Sequence, residues 1–186
     1  LGLISSGFVK PEHIIITKRN IATLKPLEEK GVLVSNSNTE AVQYADWVIL
    51  AVKPFQIREI LLQLKPNLNT KRHTLISVIT GIWIKDIQDI LGNEFTLFRA
   101  MPNTAIAIQE SITCICKINA SAEQTQYVDD LFNQLGKTAF IEEKLMDACD
   151  IIDVITPTDH HFNICMQAIR KGKHVFVEKP LAHTIQ

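Results

Sequence analysis

Short apolar runs alternate along this chain with segments whose apolar residues recur at helical spacing. This alternation is typical of βαβ units, and it predicts an α/β fold with a mostly parallel, doubly wound sheet. The predicted strands comprise residues 13–17, 31–35, 46–52, 74–79, 95–100, 112–118, 137–141, 150–156 and 174–177. The predicted helices comprise residues 21–30, 39–44, 56–64, 82–91, 121–135 and 159–171.

Local signals mark the ends of several predicted helices. Asn38 is a favourable cap for the helix that follows it. Pro66 ends the helix before it, and Gly92 closes the next one. Ser121 followed by Gln124 fits a capping box, in which each residue bonds the backbone of the other.

Length and charge narrow the classes of function. A chain of 186 residues fits one domain, or one domain and a part. The net charge of -1 gives no field that would attract nucleic acid or an anionic membrane. The apolar runs are too short to span a bilayer, and the first seven residues lack the basic flank of a signal peptide. We therefore expect a cytoplasmic protein that acts on a small molecule and binds neither nucleic acid nor membrane.

The cysteines do not predict a metal site. None of them forms a CxxC pair, so a zinc site is not expected. We interpret them as thiols in a reducing compartment, where cysteine behaves as a small apolar residue. They are Cys114, Cys116, Cys149 and Cys165.

Residues with binding chemistry follow three successive predicted strands. The first strand ends in Ala51-Val52-Lys53-Pro54, the second in Val78-Ile79-Thr80-Gly81 and the third in Met101-Pro102-Asn103-Thr104. Open α/β sheets bind ligands at the carboxyl ends of their strands, so these segments predict a nucleotide crevice. Because Pro, Gly and Asn are also common in ordinary turns, spacing alone leaves a purely structural interpretation equally open.

The same segments resemble the pyrroline-5-carboxylate reductases over roughly residues 1–148. The resemblance is carried by AVKP at 51–54, SVITGI at 77–82, RAMPNT at 99–104 and EEKLMDA at 142–148. It implies a Rossmann domain and NAD(P)H-dependent reduction of 1-pyrroline-5-carboxylate, the last step of proline biosynthesis. It also implies a homo-oligomer that forms through a C-terminal helical domain.

The resemblance assigns roles to particular residues. Asn38 would lie near the adenosine 2′-phosphate, and Asn103 towards the nicotinamide. The dinucleotide would be lined by Ala51, Val52, Lys53, Pro54, Val78, Ile79 and Thr80. The turn after the strand 13–17 carries Lys18 and Arg19 and no acid, which favours NADPH, with NADH as the alternative cofactor. A solvated loop is the competing interpretation of these two cations.

Two features depart from the family pattern. The chain starts after the position of the glycine-rich turn that cradles the pyrophosphate. After Ala148 the sequence also changes, where the family's helical domain would begin. We therefore expect an incomplete Rossmann sheet and no dimer of the family type.

Residues 149–186 resemble a second family, the Gfo/Idh/MocA oxidoreductases. The matching elements are a strand that ends in Thr156-Pro157-Thr158 and the segment GKHVFVEKPL at 172–181. In that family the lysine, here Lys179, helps to hold cofactor and substrate at the site of hydride transfer. His160 and His161 are interpreted as polar residues at a helix start, because neither has an identifiable partner.

We therefore expect a composite chain joined near residues 147–150, either a fused or designed protein or an erroneous joining of two sequences. Its two parts would be a truncated NADP-binding domain at 1–148 and a βαβ fragment at 149–186. We expect strand 150–156 to fill the gap left by the absent first strand. The leading function is imine reduction, and the alternatives are a sugar or polyol oxidoreductase and an inactive nucleotide-binding fragment.

Overall fold

The computed structural model describes residues 2–146, 151–154 and 174–177, together with the helical residues Met166 and Arg170. The chain divides into two compact units, Leu1–Ile141 and Glu142–Gln186. Apart from Met166 and Arg170, the predicted helix 159–171 lies outside the described residues.

The first unit alternates strands with helices along most of its length. Its strands are β1 Ile15–Thr17, β2 Leu33–Ser35, β3 Trp47–Leu50, β4 Thr74–Ser77, β5 Thr96–Pro102, β6 Ser111–Ile118 and β7 Gly136–Phe140. Its helices are α1 Gly2–Ser5, α2 Lys25–Glu28, α3 Asn38–Tyr44, α4 Ile57–Leu64, α5 Ile84–Leu91 and α6 Ala122–Asn133. Single 3₁₀ turns lie at Pro11–His13, Ile21–Leu24, Pro54–Gln56, Lys65–Asn67 and Thr104–Ile108.

These strands form two sheets. β1 and β2 pair in parallel, and the larger sheet has the order β3-β4-β5-β6-β7. Only β6 runs antiparallel to its neighbour β5 among the described pairings of this larger sheet. The predicted α/β class with a mostly parallel, Rossmann-like sheet is confirmed.

The second unit contains α7 Glu143–Met146, β8 Ile151–Val154 and β9 His174–Val177. β8 pairs in parallel with β9 in a sheet of two strands. The expectation that strand 150–156 would fill the sheet of the first unit is therefore wrong. Parallel strands that follow each other in one βαβ unit usually lie side by side, and this local pairing prevails here.

Two predicted helix starts need correction. The single helix predicted over residues 21–30 is a 3₁₀ turn followed by the one-turn helix α2, because Pro26 is tolerated only in the first turn of a helix. Asn38 is not a cap but the first residue of α3. The cap is Ser37, whose Oγ accepts a hydrogen bond from the backbone N–H of Glu40 at 3.2 Å.

Other end signals are confirmed. The backbone N–H of Gln124 donates to the Ser121 hydroxyl at 3.0 Å, and the Gln124 side chain accepts from the Ser121 N–H at 2.9 Å. Gly92 ends α5 with a φ of 105°, a conformation that side chains disfavour.

The core lies between one face of the larger sheet and α6. Its buried members are Ile76, Phe98, Ala100, Ile115, Val128, Leu131, Phe132 and Leu135. At its margin the Trp47 ring stacks on Tyr127 with 4.4 Å between ring centroids. Burial raises the pKa of the Tyr127 phenol, so this side chain stays neutral over the ordinary pH range.

Gly136 provides a test of the β6–β7 pairing. Its φ is 143°, and a methyl group added there would collide with the backbone of Ser111 on β6. We expect Gly136→Ala to lower the free energy of unfolding by about 3 kcal/mol, the combined effect of backbone strain and collision. Urea unfolding would measure this loss.

The matched control is Gly92→Ala. Gly92 also has a positive φ, but no atom lies within 4 Å of an added methyl group. Strain alone predicts a loss of about 1 kcal/mol there. Equal losses in the two variants would contradict the assigned collision with β6.

Candidate functional site

The parallel pairing of β3, β4 and β5 brings three predicted site segments to one edge of the sheet. In the pairing register Leu50 lies beside Ser77, and Ser77 lies beside Arg99. The Val78 N–H donates to the Leu50 carbonyl at 3.0 Å, which continues the alignment past the strand ends. Residues 51–54 and 78–81 therefore leave the sheet at one edge, where β5 continues to Pro102 before Asn103 and Thr104 follow.

The segment after β3 is open to solvent. Ala51, Lys53 and Pro54 are exposed, and Val52 is half-buried. Lys53 has an extended backbone, and its carbonyl accepts from the Gln56 N–H at 2.9 Å in the following 3₁₀ turn. The exposed ammonium of Lys53 can therefore serve an anionic or carbonyl group at this edge.

The segment after β4 contains both buried and exposed residues. Val78 packs against the core, and Ile79 is only 2% exposed. Ile79 can therefore face a ligand only through its backbone, whereas Thr80 is exposed. Gly81 has a φ of 76° with open space around it, so the turn itself requires glycine here.

The segment after β5 presents Asn103. This side chain is exposed, and it makes no capping hydrogen bond to the 3₁₀ turn that follows. The Asn103 carbonyl instead accepts from the Ile106 N–H at 3.2 Å. The amide is therefore held at the edge by its backbone, and it can both donate and accept.

The other predicted residues follow the small β1–β2 sheet. Lys18 and Arg19 are exposed directly after β1. The Thr17 hydroxyl donates to Asn38 Oδ1 at 2.7 Å. Because the oxygen of the amide faces Thr17, its N–H₂ group is the part that can donate to an anion near Lys18 and Arg19.

Prediction from sequence missed the contact between Arg99 and Trp83. Arg99 is 1% exposed, and its Cζ lies 5.1 Å from the centroid of the Trp83 ring. Its Nη2 donates to the Sδ of Met101 at 3.4 Å. An arginine inside an otherwise apolar strand is the one sequence signal that pointed to this position.

A cavity of about 420 Å³ opens beside β2 rather than at the strand ends. Its walls include Ile15, Leu33 and Tyr44, together with the carboxylates of Glu28 and Glu40. Glu40 also accepts a hydrogen bond from the Ser35 hydroxyl. Two carboxylates disfavour a phosphate group, so this cavity does not compete with the strand ends as a nucleotide site.

In the second unit, β8 and β9 end at Val154 and Val177. Residues 156–158, His160, His161 and Lys179 lie outside the described residues. Across the described ranges, no group of three His, Cys, Asp or Glu side chains could hold a metal ion. In that same part of the chain, no helix has the length and apolar character needed to cross a membrane.

Two family models match the chain. Residues 1–81 match the NADP oxidoreductase family described as coenzyme F420-dependent. Residues 93–186, about half of the chain, match the Gfo/Idh/MocA oxidoreductase family with an NAD-binding Rossmann fold.

Curated relatives are pyrroline-5-carboxylate reductases. Reductase 1 of Dictyostelium discoideum is 34% identical over 155 residues, which are 77% of this chain and 28% of the relative. Reductase 2 of the same organism is 32% identical over 182 residues, 96% of this chain and 55% of the relative. Reductase 2 of Bacillus subtilis is 34% identical over 154 residues, 81% of this chain and 55% of the relative. Apart from the first, these relatives are about twice as long as the part that this chain spans.

Solved structures have the same fold. The reductase of Coxiella burnetii aligns with a TM-score of 0.77 and 25% identity, covering 92% of this chain and 63% of that one. The Plasmodium falciparum pyrroline carboxylate reductase, solved with NADP bound, aligns with a TM-score of 0.70 and 24% identity. That alignment covers 91% of this chain and 58% of the other.

The Thr17–Asn38 hydrogen bond can be tested by itself. Thr17→Val keeps the shape of the side chain and removes the donor, so we expect a loss of about 1 kcal/mol in the free energy of unfolding. Thr17→Ser keeps the hydroxyl, and we expect it to lose less than half of that amount. Chemical denaturation measures both losses, and a Ser variant as unstable as the Val variant would contradict the bond.

Proposed function

We propose that this chain, which belongs to the Gfo/Idh/MocA oxidoreductase family through residues 93–186, binds NADP(H) for imine reduction. The choice of an imine as substrate comes from its homology to the pyrroline-5-carboxylate reductases over most of its length. The reaction is the NADPH-dependent reduction of 1-pyrroline-5-carboxylate to proline. The observation that carries the proposal is the in-register pairing of β3, β4 and β5. Such an edge is where open α/β sheets bind nucleotides.

The residues at this edge fit a dinucleotide. Lys53, Thr80 and Asn103 are exposed on three neighbouring strand ends. This edge combines a cation, a hydroxyl and an amide. We assign Ala51 to Pro54 and Val78 to Thr80 to the dinucleotide, and Asn103 to the nicotinamide carboxamide.

Lys18, Arg19 and Asn38 would hold the adenosine 2′-phosphate. Two exposed cations follow β1, and the Asn38 amide is oriented beside them by Thr17. An acid that could bind the ribose hydroxyls of NAD is absent from residues 17–20. This composition supports NADPH over NADH as the preferred cofactor.

Bound NADPH would supply the hydride that reduces the imine carbon. The chain's own groups bind and orient rather than react, as in other nicotinamide enzymes. Lys53 adds positive charge at the edge, and Thr80 and Asn103 offer hydrogen bonds there.

Charge reversal at Arg19 tests the cofactor assignment. We expect Arg19→Glu to weaken NADPH binding about tenfold while changing NADH binding less than twofold, because only NADPH carries the 2′-phosphate. Titration followed by nucleotide fluorescence measures both affinities.

Lys71→Glu is the matched control. Lys71 is exposed and precedes β4, so it lies towards the opposite edge of the sheet. Its substitution by glutamate reverses a charge there, as Arg19→Glu does at the turn after β1. We expect it to leave both affinities within twofold of the parent protein. Equal losses for NADPH and NADH in Arg19→Glu would contradict a 2′-phosphate site at this turn.

A second function is favoured by the match of residues 93–186 to the Gfo/Idh/MocA family. Under this alternative the chain oxidises a sugar or polyol, and Lys179 takes part in hydride transfer. Polyol oxidation that is lost in Lys179→Ala would support this alternative. Imine reduction that is unaffected by Lys179→Ala would support the proposed imine reductase. A chain that binds nucleotide but catalyses neither reaction would instead be the inactive nucleotide-binding fragment.

We also propose that the chain is composite, with its junction at residues 147–150. Many of the reductase alignments span about 150 residues, and the boundary between compact units lies at residues 141–142. The alignment of 182 residues with one reductase and the Gfo/Idh/MocA match over residues 93–186 both run past this junction, so the proposal needs a direct test.

Peptide mass spectrometry provides that test. Trypsin cuts after Lys144 and next after Arg170, so one peptide of residues 145–170 contains the whole junction. We expect to recover this peptide from the protein isolated from its source. Its absence, with peptides recovered from both flanking segments, would mean that the two parts are not one polypeptide.

A further inference from the structure

Arg99 is a buried cation in the middle of the larger sheet. It lies on β5 between Ser77 of β4 and Cys116 of β6, and its side chain is only 1% exposed. Burying a guanidinium is unfavourable unless neighbouring groups compensate its charge. A position this costly therefore calls for an account of what the side chain contacts.

Its contacts reach the start of α5 and the end of its own strand, β5. The guanidinium carbon lies 5.1 Å from the centroid of the Trp83 ring, and Nη2 donates to Met101 Sδ at 3.4 Å. Trp83 follows the turn at Thr80 and Gly81, and Met101 directly precedes the Pro102-Asn103 segment. A single side chain thus contacts a residue just after the dinucleotide segment 78–80 and the strand end that leads to Asn103, the residue that the proposed function assigns to the nicotinamide.

The backbone of Trp83 is held by two hydrogen bonds to Asp86. Its backbone N–H donates to Asp86 Oδ2 at 2.7 Å, and its carbonyl accepts from the backbone N–H of Asp86 at 3.1 Å. These bonds fix Trp83 at the start of α5. Trp83 is 37% exposed whereas Arg99 is 1% exposed, so the contact joins a buried cation to a partly exposed ring.

We propose that Arg99 is a positioning residue that acts through Trp83 and Met101 to set the turn 80–83 relative to the end of β5, where Asn103 follows. The inference rests on the proposed function, because the turn and the strand end matter only if they line the nicotinamide end. It requires a planar guanidinium rather than a positive charge alone. The plane can lie over an aromatic ring while its edge donates elsewhere, which an ammonium cannot do.

The first readout is spectroscopic. The chain has two tryptophans, and Trp47→Phe leaves Trp83 as the only one while keeping an aromatic ring against Tyr127. In that background we expect Arg99→Lys to change the Trp83 emission spectrum and to increase its quenching by acrylamide. Unchanged emission and quenching would overturn the contact, whether or not the protein binds nucleotide.

The second readout separates the two halves of the cofactor. We expect Arg99→Lys and Trp83→Leu each to weaken NADPH binding about fivefold, the size of one lost cation–aromatic contact. Binding of 2′,5′-ADP, which has no nicotinamide, should change less than twofold. Trp83→Phe keeps a ring and should recover most of the affinity lost in Trp83→Leu.

The double variant completes the test. Because both single changes break the same contact, Arg99→Lys with Trp83→Leu should lose no more affinity than the weaker-binding single variant. Additive losses, or equal losses for NADPH and 2′,5′-ADP, would mean that Arg99 only supports the fold. If the parent protein binds NADPH and no variant alters its affinity, this inference fails and the proposed function stands. If the parent binds neither ligand, both fail.

Discussion

The parallel register of β3, β4 and β5 is the constraint on which the candidate site depends. Along these strands residues alternate between the two faces of the sheet, with Ile76 and Phe98 on the face that packs against α6. Ser77 and Arg99 point to the opposite face. A slip of one residue would move Arg99 to the face that packs against α6. Because Leu75 and Leu97 are buried on the other face, it is the polar Ser77 and Arg99 that distinguish the two faces, and the observed register aligns the three strand ends.

The same alternation explains how the sheet accommodates a buried cation. The face of β5 opposite α6 carries Leu97 as well as Arg99, and there the guanidinium contacts an aromatic ring and a polarisable sulfur. Trp83 follows the turn after β4, and Met101 lies at the end of β5, so both contacts are close to the ligand edge. Stability of the buried charge and placement of this turn and strand end are thus consequences of the same contacts. We regard this coupling as the main physical link between the core and the proposed site.

Sequence patterns predicted the strands better than their functional details. Runs such as 74–79 and 112–118 are short and mostly apolar, so their presence as strands needed no tertiary information. The cap of α3 was assigned to Asn38 although Ser37 and Glu40 have the spacing of a capping box, a signal that was present and overlooked. The Arg99–Trp83 contact could not be predicted, because it joins residues on different elements through the packing of the sheet. The orientation of the Asn38 amide likewise depends on a bond to Thr17 in another strand.

The two family matches bear differently on cofactor and substrate. Both families are described as nicotinamide-nucleotide oxidoreductases, and both matches include strands of the larger sheet. The argument for a nucleotide therefore rests on a sheet edge that does not depend on which lineage supplied residues 149–186. The argument for an imine substrate rests instead on the reductase relatives, which align over about four fifths of the chain or more. A sheet edge of this kind determines where a ligand binds, whereas the groups beyond the strands determine which ligand reacts. Identification of the substrate therefore requires chemistry contributed from outside β3, β4 and β5.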